Sequence, residues 1–229
     1  MLKDCIDGLI LDKIKLRDNS LIIKVLTING ELISGLFYER GIKLPIQFLN
    51  FYQITVTKSS KDLFFFKEIQ LSANSIYYEF SPAVIDQYYV VSELSRILFR
   101  DENPGRDIFS FLELELRYFI SEFNPDFHLC FIAKLILIYG YMPEAPYVGE
   151  IFDFRDGYFR NDAPGHPDYC DAKLIAIVFD FVNGNTSKLS IANAKDRYVV
   201  FTQLIRFLEL QKGMKISLKS IEILREIRN

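Results

Sequence analysis

Between residues 6 and 71 the chain repeats short runs rich in β-branched and aromatic residues: 6–16, 21–28, 31–38, 49–57 and 62–71. Polar breaks separate them at Asp18-Asn19-Ser20, Asn29-Gly30, the 39–48 loop and Lys58-Ser59-Ser60-Lys61. Turn-forming residues between such runs predict five strands. In 62–71, Leu63, Phe65, Ile69 and Leu71 share one face with Lys67, while Phe64, Phe66, Glu68 and Gln70 share the other. That alternation is the period of a sheet with one buried face.

Five twisted antiparallel strands leave unpaired edges unless they close on themselves, so a five-stranded oligonucleotide-binding (OB) barrel is predicted over residues 1–80. After Ser81-Pro82 the apolar period changes from 2 to 3.6, which sets the predicted boundary of a helical domain over 81–229. Helices are expected at 83–100 and 107–123, on either side of Asn103-Pro104-Gly105, and at 125–139. For the last of these, Asn124 is a candidate cap, Pro125 suits the first position, Asp126 complements the dipole and Gly140 supplies a left-handed stop. It is apolar almost all round and reads as the central, buried helix. Residues 144–171 read as an ordered loop, with room for a hairpin through 151–154 and 158–159 around Asp156-Gly157. Helices resume at 172–182, 195–211 and about 218–228. The fold class is α+β, a barrel followed by an all-helical C-terminal domain.

Composition adds bounds. Half of the 229 residues are apolar, enough for a substantial core, and no apolar run approaches the ~18 residues of a membrane span. Lys3, Asp4, Asp7 and Asp12 stand where a signal peptide would be apolar, so a cytoplasmic protein with no membrane partner is expected. Cys5, Cys130 and Cys170 lie far apart and spell neither a disulfide framework nor a zinc ribbon. The net charge of −3 is unevenly spread: residues 1–75 carry +2, 76–194 carry −9 and 195–229 carry +4. A basic footprint for nucleic acid is therefore confined to the ends of the chain.

Metal-ligand types cluster only in RNDAPGHPDYCD, as Asp162, His166, Asp168, Cys170 and Asp171. The set mixes hard and soft donors in one proline-interrupted loop with no second histidine nearby, so a structural loop without metal or other cofactor is expected. His128 lies on the apolar 125–139 helix and reads as a partly buried side chain. GxSxG, HExxH, P-loop and GxGxxG patterns are missing from the chain, which argues against an enzyme. Cations beside the barrel carry the positive evidence: Lys13, Lys15, Arg17, Lys24, Arg40, Lys43, Lys58, Lys61 and Lys67. Such side chains bind phosphates with counterion release while aromatics stack bases.

Three strings, GLILDKIKLRDNSLIIKVLT, FHLCFIAKLILIYGYMPEAP and SLKSIEILREI, together with the order of elements, resemble the RecO family of bacterial recombination mediators over essentially the whole chain. The resemblance implies an OB barrel, a helical domain, binding of single-stranded DNA, association with RecR and with the tail of single-stranded DNA-binding protein (SSB), strand annealing and recombinase loading. RecF is a further implied partner, and the nucleoid the implied location. Two departures matter. Many members hold zinc through four cysteines in the C-terminal domain, where this chain has only Cys170 beyond the long helix. The basic loop after the third strand is reduced to YERGIKLPIQ, leaving Arg40 and Lys43 beside Glu39. A DNA-annealing mediator and an interaction scaffold of the same pathway with weak DNA binding are both compatible with that thinning. For the SSB tail, the resemblance directs attention to Lys134, flanked by Phe131 and Leu135 as an apolar wall.

The 162–171 loop yields a direct test. Chelator or added zinc should leave the thermal midpoint of the protein unchanged, and of a variant with His166 and Cys170 replaced by Ala as well. A closed zinc site would instead couple metal to folding, and stoichiometric zinc in purified protein would contradict the expectation.

Overall fold

The computed structural model describes residues 4–17, 19–39, 45–58, 64–77, 81–100, 103–121, 124–186, 189 and 191–221, leaving aside the side chains of Arg17 and Ala83. The chain divides into two compact units, Met1–Phe123 and Asn124–Asn229.

The first unit contains five strands: β1 (Asp4–Arg17), β2 (Ser20–Thr27), β3 (Leu32–Tyr38), β4 (Phe51–Lys58) and β5 (Phe64–Leu71). They close into a barrel in the order β1-β2-β3-β5-β4. This is an OB-type barrel: a long first strand pairs with β2 through its second half and with β4 through its first, and β3 meets β5 in parallel. Ile10, Ile23, Val25, Tyr52, Ile54 and Phe66 fill its interior. The Asn29-Gly30 turn forms as expected, with Gly30 at φ +81° donating its N–H to Thr27.

The parallel seam is short. Among the described residues Gly35–Phe64, Leu36–Phe65 and Phe37–Phe66 face each other across it. A Cβ added at Gly35 would lie 2.3 Å from the Phe66 ring, so the ring enters the core over a position that must lack a side chain. A bulge between Thr55 and Val56 of β4 lets β5 advance one residue at Lys67. Phe66 and Ile69 are therefore both buried, and the strict alternation expected for 62–71 does not hold.

Two helices, α1 (Pro82–Leu98) and α2 (Arg106–Ser121), belong to the same compact unit as the barrel, although the apolar period changes at Ser81-Pro82. Ser81 caps α1 by accepting from Val84 N–H. Their connection is clasped to the β2–β3 turn: Gly105 N–H donates to Gly30 O, Leu32 N–H to Asn103 Oδ1, and Lys24 Nζ to Arg100 O. A Cβ on Gly30 would lie 2.0 Å from Gly105 carbonyl carbon, so backbone meets backbone there. Buried Asn50 ties the segment after the barrel to the turn before β4. Its Oδ1 accepts from Phe51 N–H and Ile76 N–H, while its amide donates to Gln47 Oε1 and Ile76 O.

The second unit holds α3 (Phe127–Ile138), a three-stranded sheet of β6 (Ile151–Asp153), β7 (Tyr158–Arg160) and β8 (Tyr169–Asp171), then α4 (Ala172–Val182) and α5 (Ala194–Lys212). The C-terminal region is thus helical with a small sheet inserted. The 151–159 hairpin was within the expected loop, and β8, which pairs with the other edge of β6, is an addition to it. α3 packs against α4 and α5. Gly140, at φ +75°, closes it as expected, whereas Asp126 stands at its cap without bonding a helix N–H through its carboxylate. That carboxylate instead accepts from Arg197 Nε at 2.6 Å and from Ile191 N–H. Residues 219–221 begin a helical turn, and the remainder of the predicted last helix lies outside the described residues.

Gly35→Ala should lower stability in urea unfolding by about 1–3 kcal/mol, the usual cost of overpacking a closed core. An unchanged midpoint would show that Phe66 yields without cost.

Candidate nucleic-acid interface

Directly opposed residues on a ladder project to the same side of the sheet. Ile14 of β1 opposes Ile22 of β2, Ile22 opposes Leu36 of β3, and Leu36 faces Phe65 of β5. Their neighbours Ile23 and Phe66 point into the core, so these four side chains form one outward row across four strands. At the usual strand spacing the row is about 14 Å long. Tyr38, two residues beyond Leu36, extends it and is 51% exposed, and Ile14 is 48% exposed. Isolated apolar groups on a surface are ordinary, whereas an aligned row is a candidate contact surface.

The other side of the barrel is not open in this way. Phe51 meets Phe109 of α2 edge to face at 6.0 Å, and the Arg117 guanidinium lies 5.8 Å from the Phe51 ring centre. Tyr88 of α1 donates its hydroxyl to Phe48 O, and burial pushes its ionisation upward. Arg96 approaches Asp12 at 3.8 Å. The α1–α2 hairpin therefore shields one flank of the barrel, while along the row Ile14 and Tyr38 are exposed and Ile22, Leu36 and Phe65 half-buried.

The predicted cations fall into different roles. Lys67 places Nζ 5.5 Å over the Phe65 ring, on the outward row. Lys58 does the same to Phe64 at 5.6 Å. Lys15 is exposed on β1, opposite Leu21. Lys24 is occupied by the Arg100 carbonyl and helps hold the helical hairpin. Lys13 likewise reaches Ile46 O at 2.8 Å and covers Phe48. Arg40, Lys43 and Lys61 lie outside the described residues, as does the Arg17 side chain. The row itself was not singled out from the sequence, because Ile14, Ile22 and Leu36 look like ordinary core residues until the register is known.

The residues considered for a partner peptide are placed differently from the expectation. Phe131 and Leu135 are 0% exposed, so neither forms a wall that a ligand reaches. The reason is the all-round apolarity of α3, which buries both against its own unit. Lys134 is half-buried, and the apolar groups that α3 does expose are Leu137 and Ile138.

In the 162–171 loop each carboxylate is already engaged. Asp168 accepts from Arg155 Nε at 2.7 Å and Arg206 at 2.6 Å, and these bonds hold its carboxyl below the usual range. Asp162 pairs with Arg160 at 2.6 Å and is lowered in the same way. Asp171 caps α4 through Lys173 N–H. Burial pushes the Cys170 thiol up to about 12, so it stays protonated and a weak nucleophile. The hub is Asp153, missed in the sequence. Fully buried, it accepts from Arg155 N–H and Arg160, with His166 Nε2 3.5 Å away. Among the described residues no group of three or more His, Cys, Asp or Glu is arranged to hold a metal ion, and no helix is long and apolar enough to cross a membrane.

The architecture defines a class: an OB-type barrel, flanked by a helical hairpin, that presents an outward apolar row with aromatic and cationic members. Compared with known proteins, the chain matches no family model and no curated sequence.

His128 supplies a pH test. Its Nδ1 is buried without a hydrogen-bond partner, its ring lies 5.7 Å from that of Phe201, and desolvation lowers its pKa to about 4 despite nearby Asp126. Arg197 acts in the same downward direction. The folded state thus refuses a proton that the unfolded chain takes near pH 6.5, so its contribution to stability is full above that value and is lost as pH falls toward 4. The loss through Asp162 and Asp168, whose folded pKa values are lowered, follows at still lower pH. The urea midpoint should fall between pH 7 and 4, and His128→Gln should flatten that limb. An equal slope in the variant would place the proton uptake elsewhere.

Proposed function

We propose that the protein is a recombination and DNA-repair mediator of the RecO type, which binds single-stranded DNA on the open barrel face and promotes annealing and recombinase loading. The observation that carries this reading is the outward row Ile14–Ile22–Leu36–Phe65, with Tyr38 beside it, on the strands that OB barrels use for oligonucleotides. Aromatic rings such as exposed Tyr38 and half-buried Phe65 accept bases of any sequence, and Lys67 supplies charge for phosphates. The family strings in the sequence add support for the pathway, for RecR, RecF and the SSB tail as partners, and for a nucleoid location. An SSB tail, acidic with an apolar end, would use Lys134 with exposed Leu137 and Ile138 in place of Phe131 and Leu135. No catalytic role is assigned.

A second reading rests on the chemistry of the row. Three of its members are aliphatic, which suits a protein surface as well as bases, and Lys24 is committed to the fold. The chain would then be an interaction scaffold of the same pathway.

The two readings separate in a titration of labelled dT oligomers against protein at several salt concentrations. A mediator with this thinned set of cations should give a log-log slope of about 1.4–2.8, equivalent to about two to four phosphate contacts on a single strand. Arg40→Glu with Lys43→Glu should flatten it, and Ile14→Asp should weaken binding at least tenfold at constant fold. Undetectable binding at low salt would sink the mediator reading in favour of the scaffold.

A further inference from the structure

We propose that Lys67 is a movable cover on the Phe65 ring: the ammonium occupies the ring face in the free protein and passes to a backbone phosphate when an unstacked base of a single strand takes its place. The inference rests on the reading of the barrel as a single-strand binder. Its ligand class is an unpaired nucleotide, which presents a free π-face beside a phosphate where a paired one does not.

The geometry begins with the bulge. Opposite residues run Thr57–Phe65, Val56–Phe66 and then Thr55–Glu68, so Lys67 is the extra residue of β5 with no directly opposed partner. A bulge re-aims the side chain it carries. Here it sets Nζ 5.5 Å from the Phe65 centroid, over an outward ring, while the next apolar residue, Ile69, returns to the core. Without the extra residue, the spacing of Phe66 and Ile69 would not put both inside. The bulge therefore serves the core and the cover together.

An exposed cation–π contact contributes weakly, while stacking of a base on an aromatic ring contributes more. Exchange of ammonium for base therefore favours the bound state, and the displaced cation is left within a side chain's reach of the phosphate that the base brings with it. Charge complementarity favours nucleic acid over an apolar protein segment as occupant, since the latter would have to strip Lys67 from the ring with no anion to receive it. Phe65 then contributes the stacking energy and Lys67 one salt-dependent contact.

The test combines two observations on the full chain with a dT oligomer. Equilibrium titrations at several salt concentrations compare the parent with Phe65→Leu, Lys67→Gln and Lys67→Arg, each first shown to keep its thermal midpoint. Phe65→Leu should weaken binding about tenfold with the salt slope unchanged. Lys67→Gln should lower the slope by about 0.7, one phosphate on a single strand, and Lys67→Arg should restore it. In parallel, the Lys67 ε-CH2 proton resonance should lie upfield in the free protein through the ring current of Phe65. It should move downfield on adding the oligomer and lose its upfield shift in Phe65→Leu. A parent that binds while Phe65→Leu keeps full affinity, Lys67→Gln keeps the parental slope, or the ε-CH2 resonance does not move, overturns the cover alone. A parent that does not bind the oligomer overturns both the cover and the single-strand reading beneath it.

Discussion

Closure of the barrel depends on one close approach, the Phe66 ring over Gly35. Among the described residues β3 and β5 pair along the ladder at three positions, and parallel pairing is slightly weaker per residue than antiparallel. What holds the seam is the aromatic ring inserted from β5 above a position with no side chain. The rest follows geometrically. Phe66 must point inward, so Phe65 must point outward, and Leu36 beside it must do the same. Through the β3–β2 and β2–β1 registers, Ile22 and Ile14 are then committed to the outer row. The candidate interface is thus the complement of the core.

Much of this fold was legible in the sequence. All five strands and the helices α1 to α5 fall within a few residues of their predicted bounds, because period 2 and period 3.6 are both strongly expressed and the turns at Asn29-Gly30 and Gly140 carry residues suited to their backbone. The Lys67 bulge was not legible. Phe64, Phe65 and Phe66 are equally apolar, and only the partner strand decides which of them lies inside. The third small strand escaped notice because Tyr169-Cys170-Asp171 is too short to show alternation and is specified by β6 instead. Grouping by contact was also hidden: α1 and α2 have helical periodicity like the second unit, yet Phe109, Tyr88 and the Gly105 backbone attach them to the first.

The site was less legible than the fold, for a related reason. Charges are conspicuous in a sequence, but several of those beside the barrel serve the structure: Lys13 and Lys24 hold backbone carbonyls, and Lys58 covers the Phe64 ring. The expected contact wall on α3 conflicted with the evidence of its own apolarity, since a helix apolar on every side buries Phe131 and Leu135 whatever Lys134 does. In the second unit the loop with metal-ligand side chains is tied by Asp153 and three arginines around short strands, backed by Phe152, Phe159, Phe179 and Phe207.

The bond from Leu32 N–H to Asn103 Oδ1 has a consequence beyond holding two turns together. β3 runs from Leu32 to Tyr38, and among the described residues β5 accompanies it from Gly35 onward, while Leu32 pairs with Leu26 of β2 on the other flank. Unpaired edges template the addition of strands from other molecules. The loop between α1 and α2 lays a side-chain carbonyl on the first donor of β3, and its backbone closes on the neighbouring turn. The helical hairpin therefore occupies a backbone donor at the start of β3, and its detachment would leave that donor open to a strand from another molecule.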